Sequence, residues 1–376
     1  MIIGIDASRA LRPQKTGTEW YSHELIQGLS RLDLVDQIRL YGAISRKKLG
    51  FVLPALMQYR HLHWPLKRLW TQGRLSWEML RMPPDVLFVP SHVIPVIHPK
   101  NTVTTLHDVG FLHWQKAYTQ KEWQYLDWST RFALRKCPKV ITISQFSKDE
   151  IVRAYNADPD MIEVIYLGYD TTRYALPSSR EIVRSEVSRR HHIEGPYILM
   201  IGRLDLRKNQ SFLIRAFEQI AAERPELKLV LVGPLGYGGQ EIVRQIEASP
   251  FKERIVRLGW LAEEEKIQIL QGASALVFPS LYEGFGLPII EAQACGVPVI
   301  AANTSCIPEI AGESAALFNP EEMEECVTSI TQVMDDAVFR EQLIGRGLEN
   351  VTRFSWDECA RQTLELLRRV GGGESR

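Results

Sequence analysis

The chain has 376 residues, 45% of them hydrophobic and 24% charged, enough for about two domains with a core each. Lys plus Arg and Asp plus Glu both total 45, so no overall field draws the protein toward nucleic acid or an acidic partner, and a charged ligand must be met locally. The five cysteines, Cys137, Cys295, Cys306, Cys326 and Cys359, are odd in number and lack C-x-x-C spacing, which argues against a disulfide framework and a zinc site and predicts reduced, buried thiols.

The first residues, MIIGIDASRA, show no basic n-region before a long apolar run. No stretch approaches the roughly 20 apolar residues of a membrane span, so the expected location is cytoplasmic. Short apolar runs alternate with helix-length amphipathic segments and end in Gly, Asp, Ser or His, the pattern of parallel βαβ units in an α/β fold. In the first half the predicted strands cover 2–5, 38–41, 86–89, 102–106, 139–143 and 163–166. Residues 60–81 (RHLHWPLKRLWTQGRLSWEMLR) hold three tryptophans and five Arg or Lys, with Glu78 the only acid. At helical spacing Leu66, Trp70, Trp77 and Leu80 fall near one face, with Lys67, Arg68, Arg74 and Arg81 largely around it. Such a helix either packs on the first sheet with solvated flanks or rests on a membrane surface. After 139–143, Ser147 and Glu150 form the S-x-x-E pattern of a capping box. Residues 169–179 (YDTTRYALPSS) break all periodicity and read as an interdomain linker. Strands resume at 197–201, 227–232, 255–258, 275–278, 297–301 and 316–317, so two sheets of similar plan are expected. The terminal GGGESR reads as a frayed tail.

Ligands of open parallel sheets collect beyond the C-terminal strand ends, where loops feed helix N-termini. The run YILMIGRLDLRKNQSFLIRAF sets strand, glycine turn and helix in order. Gly202 lets backbone approach a ligand, the next helix offers free N–H groups, and Arg203 and Lys208 add positive charge, which reads as a phosphate site or as a solvated basic turn. The stretch PSLYEGFGLPIIEAQACGVPV places Glu283 before a helix predicted to run from about Pro288 to about Cys295, with Glu291 in its first turn. Ionised carboxylates only accept, so both seek hydroxyl donors, as on a ligand with a ribose, a diphosphate and a sugar. For Glu291 the alternative is compensation of the helix dipole.

In this order GRLDLRKN, EGFGLPIIEA and GVPVIAANTSCIPEIAG closely resemble family 4 of the retaining nucleotide-sugar glycosyltransferases, which have the GT-B fold. The resemblance extends to IGIDA, TLHD, VITISQFSKDEI, LGYD and FSWDECARQTLELL, and so spans nearly the whole chain. IGIDASRA with TGTEWYSHELIQGL is similar to the bacterial mannosyltransferase branch. The resemblance implies two Rossmann-like domains facing each other across a cleft that holds the active site. They would be an acceptor-side domain over 1–170 and a nucleotide-sugar donor domain over 171–355, with a final helix over 356–376 crossing back to the first domain.

It also implies roles for matching positions. Arg203 and Lys208 would neutralise the donor diphosphate beside Gly202, and Glu291 would take the ribose hydroxyls. Glu283, with the backbone of Gly284, Phe285, Gly286 and Leu287, would hold the donor sugar. Gly259 and Trp260 resemble the loop that reads the base. His107 would face the sugar from the first domain, which makes His107, Glu283, Arg203 and Lys208 the catalytic candidates. Asp108 is expected in the cleft or as a helix cap, and Ser144 at the ligand or at a turn. Many members carry a second small residue after the position of Gly17, whereas this chain reads TGTEWYSHEL. Glu19 would repel a diphosphate if it pointed inward, so Gly17 and Thr18 are placed in the cleft and Glu19 against an acceptor hydroxyl or in solvent.

The expected activity is transfer of a hexose from a nucleoside diphosphate sugar, GDP-mannose favoured over UDP-glucose, to a hydroxyl acceptor in glycan, glycolipid or polysaccharide biosynthesis. No second carboxylate is placed to flank the donor with Glu283, as a retaining glycosidase would require. The resemblance then implies a front-face route, with the leaving phosphate oxygen taking the acceptor proton. No metal and no cofactor are expected. The Asp-x-Asp match, Asp158-Pro-Asp160, precedes the 163–166 strand and falls at its N-terminal end, and Asp335 and Asp336 lie in a late polar helix. A lipid-linked acceptor would suit a 60–81 segment resting on the inner face of the membrane. Rival readings are a GT-B epimerase or phosphorylase, a non-catalytic sugar-nucleotide binder, and an NAD-dependent oxidoreductase. GPLGYGG after KLVLV invites the last, but no G-x-G-x-x-G follows a strand with an acid about 20 residues on.

Overall fold

The computed structural model describes residues 1–13, 15–44, 51–65 and 69–372. It divides into two compact units, Met1–Gly168 with Phe354–Arg376, and Tyr169–Arg353. The first contains β1 (Ile2–Asp6), β2 (Gln37–Gly42), β3 (Met57–His61), β4 (Val86–Val89), β5 (Thr102–Thr105), β6 (Lys139–Thr142) and β7 (Ile162–Val164). They form a seven-stranded parallel sheet in the order β3-β2-β1-β4-β5-β6-β7. Helices cover both faces, so the central strands are apolar on both sides: Ile3, Ile5, Val86, Leu87, Phe88, Val89, Val103 and Val140 are fully buried.

The second unit contains β8 (Tyr197–Ile201), β9 (Lys228–Val232), β10 (Ile255–Leu258), β11 (Ala275–Phe278), β12 (Val299–Ala302) and β13 (Ala315–Phe318). Their parallel order is β10-β9-β8-β11-β12-β13. In both sheets the strand order reverses beside the first strand, between β1 and β4 and between β8 and β11. Those switch points open crevices at the C-terminal strand ends.

The chain returns to the first unit for its last helix, Trp356–Gly372, which lies against the helix Gly17–Arg31. Gly28 makes the approach possible: a Cβ there would stand 2.8 Å from the Ala360 Cβ and 2.9 Å from the Trp356 carbonyl oxygen. Leu364, Leu366 and Leu367 are buried on this helix, each worth about 1.5–3 kcal/mol. Arg31 pairs with Asp357 at 2.6 Å, and Arg368 with Asp36 at 2.7 Å.

Several elements differ from the sequence reading. The edge strand β3 was not predicted. The 60–81 segment is not one helix: Arg60 and His61 end β3, and a π-helical turn, Trp70–Leu75, leads into the helix Ser76–Arg81. Leu66, Lys67 and Arg68 lie outside the described residues. Glu78 is buried between Arg60 (2.7 Å) and Arg74 (2.9 Å), while Trp77 and Leu80 are more than half exposed. The helix Gln145–Tyr155 is capped by Ser144, not Ser147, because the turn begins directly at the end of β6. Glu150 instead meets His113 at 2.6 Å and Arg153. All five cysteines are buried with free thiols. No described helix is long and apolar enough to cross a membrane.

Candidate functional site

In the second unit the ends of β8, β9 and β10 are drawn together by backbone bonds. Gly202 N–H donates to the Val232 carbonyl (2.9 Å), and Gly233 N–H donates to the Leu258 and Gly259 carbonyls (3.0 and 3.1 Å). Gly233 has φ +143°, and a Cβ there would come within 2.1 Å of the Gly202 carbonyl oxygen, so the closure requires glycine. Gln210, 1% exposed, fixes the following turn: its Nε2 donates to the Arg203 carbonyl (2.7 Å) and its Oε1 accepts from Asp205 N–H (3.2 Å). The Arg203 backbone is thereby held while its side chain is exposed, with no hydrogen bond or ion pair among the described residues.

Lys208 is placed differently. Its ammonium forms an ion pair with Glu283 and lies 5.4 Å from the centre of the Phe278 ring. Arg207 Nη1 stands 3.4 Å from the other carboxylate oxygen, and the Arg207 carbonyl accepts from Leu281 N–H at 2.9 Å. Glu283 N–H donates to Ser305 Oγ at 3.1 Å. Burial works to raise the Glu283 carboxyl, but Lys208 and Arg207 outweigh it and hold the group below the usual carboxylate range. Glu283 is an ionised acceptor clamped by two cations at the switch point of β8 and β11.

Gly284, Phe285 and Gly286 are buried, and Gly286 is the N-cap of the helix Leu287–Ala294. The helix thus starts before Pro288, and Glu291 falls in its second turn. Dipole compensation fades beyond the first turn, so the sequence-based placement is corrected and that alternative loses its basis. Glu291 instead meets Lys266, at 3.3 and 3.4 Å to its two oxygens. Lys266 belongs to the helix Glu263–Gly272, pairs with Glu263 at 3.0 Å and lies 5.2 Å from the centre of the Tyr174 ring. The Tyr174 hydroxyl donates to Glu263. Burial raises the Glu291 carboxyl, Lys266 opposes this and Glu263 adds to it. Burial alone would depress the Lys266 ammonium, yet the two carboxylates carry it above its ordinary value. Gly259 has open space where a side chain would be, and Trp260 is 58% exposed.

In the first unit Gly17 opens the helix Gly17–Arg31 and is exposed, while Thr18 is half-buried with its carbonyl accepting from Ser22. Glu19 completes a capping box with Thr16 and pairs with Arg9 (2.9 Å) and Arg12 (3.4 Å). At 5% exposure it is not in solvent: the cap fixes its direction and the arginines match its charge. His107, half-buried after β5, meets the Tyr21 ring edge-on at 4.8 Å. Its Nε2 lies 3.4 Å from the Pro90 carbonyl, which can only accept, so Nε2 carries the proton and Nδ1 the lone pair. Burial depresses its pKa, so the ring is neutral near pH 7. Asp108 accepts from Gly110 N–H at 2.8 Å, just ahead of the turn Gly110–Leu112, whose N-cap is Val109. Ser144 is fully buried and accepts from Ser147 N–H at 3.1 Å as a helix cap.

Gly202, Lys208, Glu283 and Gly259 are therefore brought to one set of strand ends, with Glu291 in a separate cluster built on Lys266. Gly17, Thr18, His107 and Ser144 belong to the first unit. Sequence reasoning missed Arg207, Gln210, Gly233, Lys266 and Tyr174. Gly233 carries a signal, since GPLGYGG follows a strand, but by composition the segment reads as a dinucleotide loop.

Residues 16–173 match Glycosyltransferase Family 4, and residues 184–349 match the glycosyl transferases group 1 family. The chain is 29% identical over 352 residues to O-antigen chain mannosyltransferase B of Escherichia coli, covering 92% of this chain and 90% of that protein. Among solved structures it resembles Anabaena HepE in complex with UDP and glucose, with a TM-score of 0.74 at 20% identity over 97% of this chain and 98% of that one. WaaG, a glycosyltransferase involved in lipopolysaccharide biosynthesis, gives a TM-score of 0.74 at 14% identity over 98% and 99%.

Proposed function

Because the chain belongs to glycosyltransferase family 4, with its two Rossmann-like units, we propose that it transfers a hexose from a nucleoside diphosphate sugar to a hydroxyl acceptor with retention of configuration. The observation that carries the donor assignment is the pairing, at one switch point, of an open glycine turn bearing the exposed Arg203, which has no partner among the described residues, with the Lys208–Glu283 ion pair. Arg203 and Lys208 face the diphosphate in this reading, aided by the N-terminus of the helix Gln210–Glu223. Glu283 and the Gly284–Leu287 backbone hold the sugar, Glu291 takes the ribose, and the Gly259–Trp260 loop meets the base. In the first unit His107 is neutral, and its Nδ1 lone pair can accept from a hydroxyl.

A nucleophilic carboxylate needs an oxygen whose charge is not neutralised by neighbouring cations, and each Glu283 oxygen is paired with a cation. That favours a front-face route, in which the leaving phosphate oxygen takes the acceptor proton and the protein orients both partners and stabilises departing charge. Mannose from GDP-mannose is our choice of donor, supported by the mannosyltransferase named among the relatives. For the acceptor we propose a glycan, with a lipid-linked form reached by peripheral membrane contact. Exposed Trp77 and Leu80, with Arg81 5.9 Å from the Trp77 ring centre, support that contact.

The test is a thermal-shift panel of nucleotide sugars followed by transfer assays. A ligand at 100 times its Kd adds about 2.7 kcal/mol. GDP and GDP-mannose should shift melting most. A clear preference for UDP would overturn the donor choice, and the absence of any nucleotide response would overturn the donor site.

A further inference from the structure

Glu291 does not stand alone at its position. Three segments of the second unit converge on it: its own helix, the helix Glu263–Gly272, and the stretch that carries Tyr174. The side chains of Glu291, Lys266 and Glu263 are 12%, 18% and 19% exposed, and Tyr174 is 4% exposed. One ammonium thus serves two carboxylates in a nearly closed space. A purely structural pair would need one acid. The second acid gives the lysine an anchor besides Glu291: Glu263 accepts from the Tyr174 hydroxyl and from Lys266, and the same hydroxyl also reaches Glu291. Lys266 then reaches both oxygens of Glu291 almost equally, at 3.3 and 3.4 Å. A carboxylate has about four lone-pair sites, and an ammonium set between its oxygens leaves sites on both for further donors. Two acceptor oxygens side by side match two adjacent hydroxyls.

We propose that Lys266, seated by Glu263 and Tyr174, is a positioning residue that fixes Glu291 to accept from both hydroxyls of a vicinal diol and so sets a preference for ribo- over deoxyribonucleotides. This rests on the assignment of Glu291 to the ribose of the donor.

The experiment is calorimetric titration of the full chain with GDP and 2′,3′-dideoxy-GDP, and with UDP and its dideoxy form alongside. Hydrogen bonds to a charged group predict that the wild type binds the ribo form about 10- to 100-fold more tightly. Lys266→Met should bring the two forms within about threefold of one another by weakening the ribo form alone, and Lys266→Arg should restore part of the ratio. A merely structural lesion would weaken both forms alike. Because Lys266→Met strands two buried acids, the double variant Glu263→Gln with Lys266→Met is measured too, and the same collapsed ratio is expected. A wild-type ratio in either variant, or equal weakening of both forms, overturns the role of Lys266. If that ratio survives in Lys266→Met but is lost in Glu291→Ala, only the positioning role falls. If the wild type itself does not separate the two forms, the ribose assignment fails and the proposal with it.

Discussion

Lys208 holds its ammonium in an ion pair with Glu283, a residue 7% exposed, whereas Arg203, five positions earlier on the same loop, has its side chain in the open. The two cations therefore differ in what their removal costs. Arg203→Ala should lower turnover by roughly 10²–10³ while leaving stability within about 0.5 kcal/mol. Lys208→Ala should lower turnover to a similar degree and also destabilise the second unit, by up to about 3–5 kcal/mol, because Glu283 is left buried with Arg207 as a weaker partner. Steady-state kinetics and urea melts on both variants separate the two effects. Near-wild-type turnover in both would remove them from the site.

Gly233→Ala tests the closure of the strand ends. Its Cβ would collide with the Gly202 carbonyl, so the loop must shift, and the Gly202 turn with it. Donor affinity should fall at least tenfold, together with a stability loss of about 1–3 kcal/mol for strained backbone. An alanine variant with unchanged Kd for nucleoside diphosphate would show that the turn does not contact the ligand.

His92 gives the first unit a pH dependence. Burial pushes its pKa down to about 4, with Asp108 opposing and His107 adding to the shift. An imidazole in the unfolded chain titrates near 6.5. Above that pH both states carry it neutral. Below it the unfolded chain takes a proton that the folded chain refuses, so stability is lost as pH falls from about 6.5 to about 4. The full shift is worth about 3 kcal/mol, and partial exposure reduces this to about 1–2. Urea melts between pH 7.5 and 4.5 should show the decline, and His92→Gln should flatten it. An equal slope in the variant would assign the decline to other groups.

Transfer should need no divalent metal. Two cations and helix N-termini supply positive charge where the diphosphate is placed, each dipole contributing about half a charge. Asp158 and Asp160 precede β7, at the end of the sheet opposite the strand C-termini, and the Asp158 carboxylate accepts from Asp160 N–H at 2.9 Å. Asp335 pairs with Arg224. Activity should survive millimolar EDTA, and a loss restored by Mn²⁺ or Mg²⁺ would refute the proposed charge stabilisation.

The central strands were legible because burial on both faces writes them as unbroken apolar runs, such as YILMI and KLVLV. β3 was not, since an edge strand reading MQYRH carries polar side chains toward water. The helical periodicity over 60–81 was an accident of composition: spacing counts residues and does not register that the chain leaves a strand at His61 before turning helical at Trp70. That Gly202, Lys208 and Glu283 lie beyond strand ends was readable from where the apolar runs stop. Lys266 was not, because EEEKIQ has the look of a solvated first turn, and only tertiary packing brings its ammonium to Glu291. The competing caps Ser144 and Ser147 were three residues apart, and the length of β6 decided between them.

The return of the last helix to the first unit has a consequence for synthesis. The second unit is one continuous stretch, Tyr169–Arg353, and leaves the ribosome with all its parts. The first unit does not. Its sheet is complete once residue 168 has emerged, but the face around Tyr21 and Gly28 stays bare until residues 356–372 follow, a wait of about 10–40 s at roughly 5–20 residues per second. During that interval the apolar face that the last helix covers is open to chaperones, and a nascent chain stalled inside the second unit would go on displaying it.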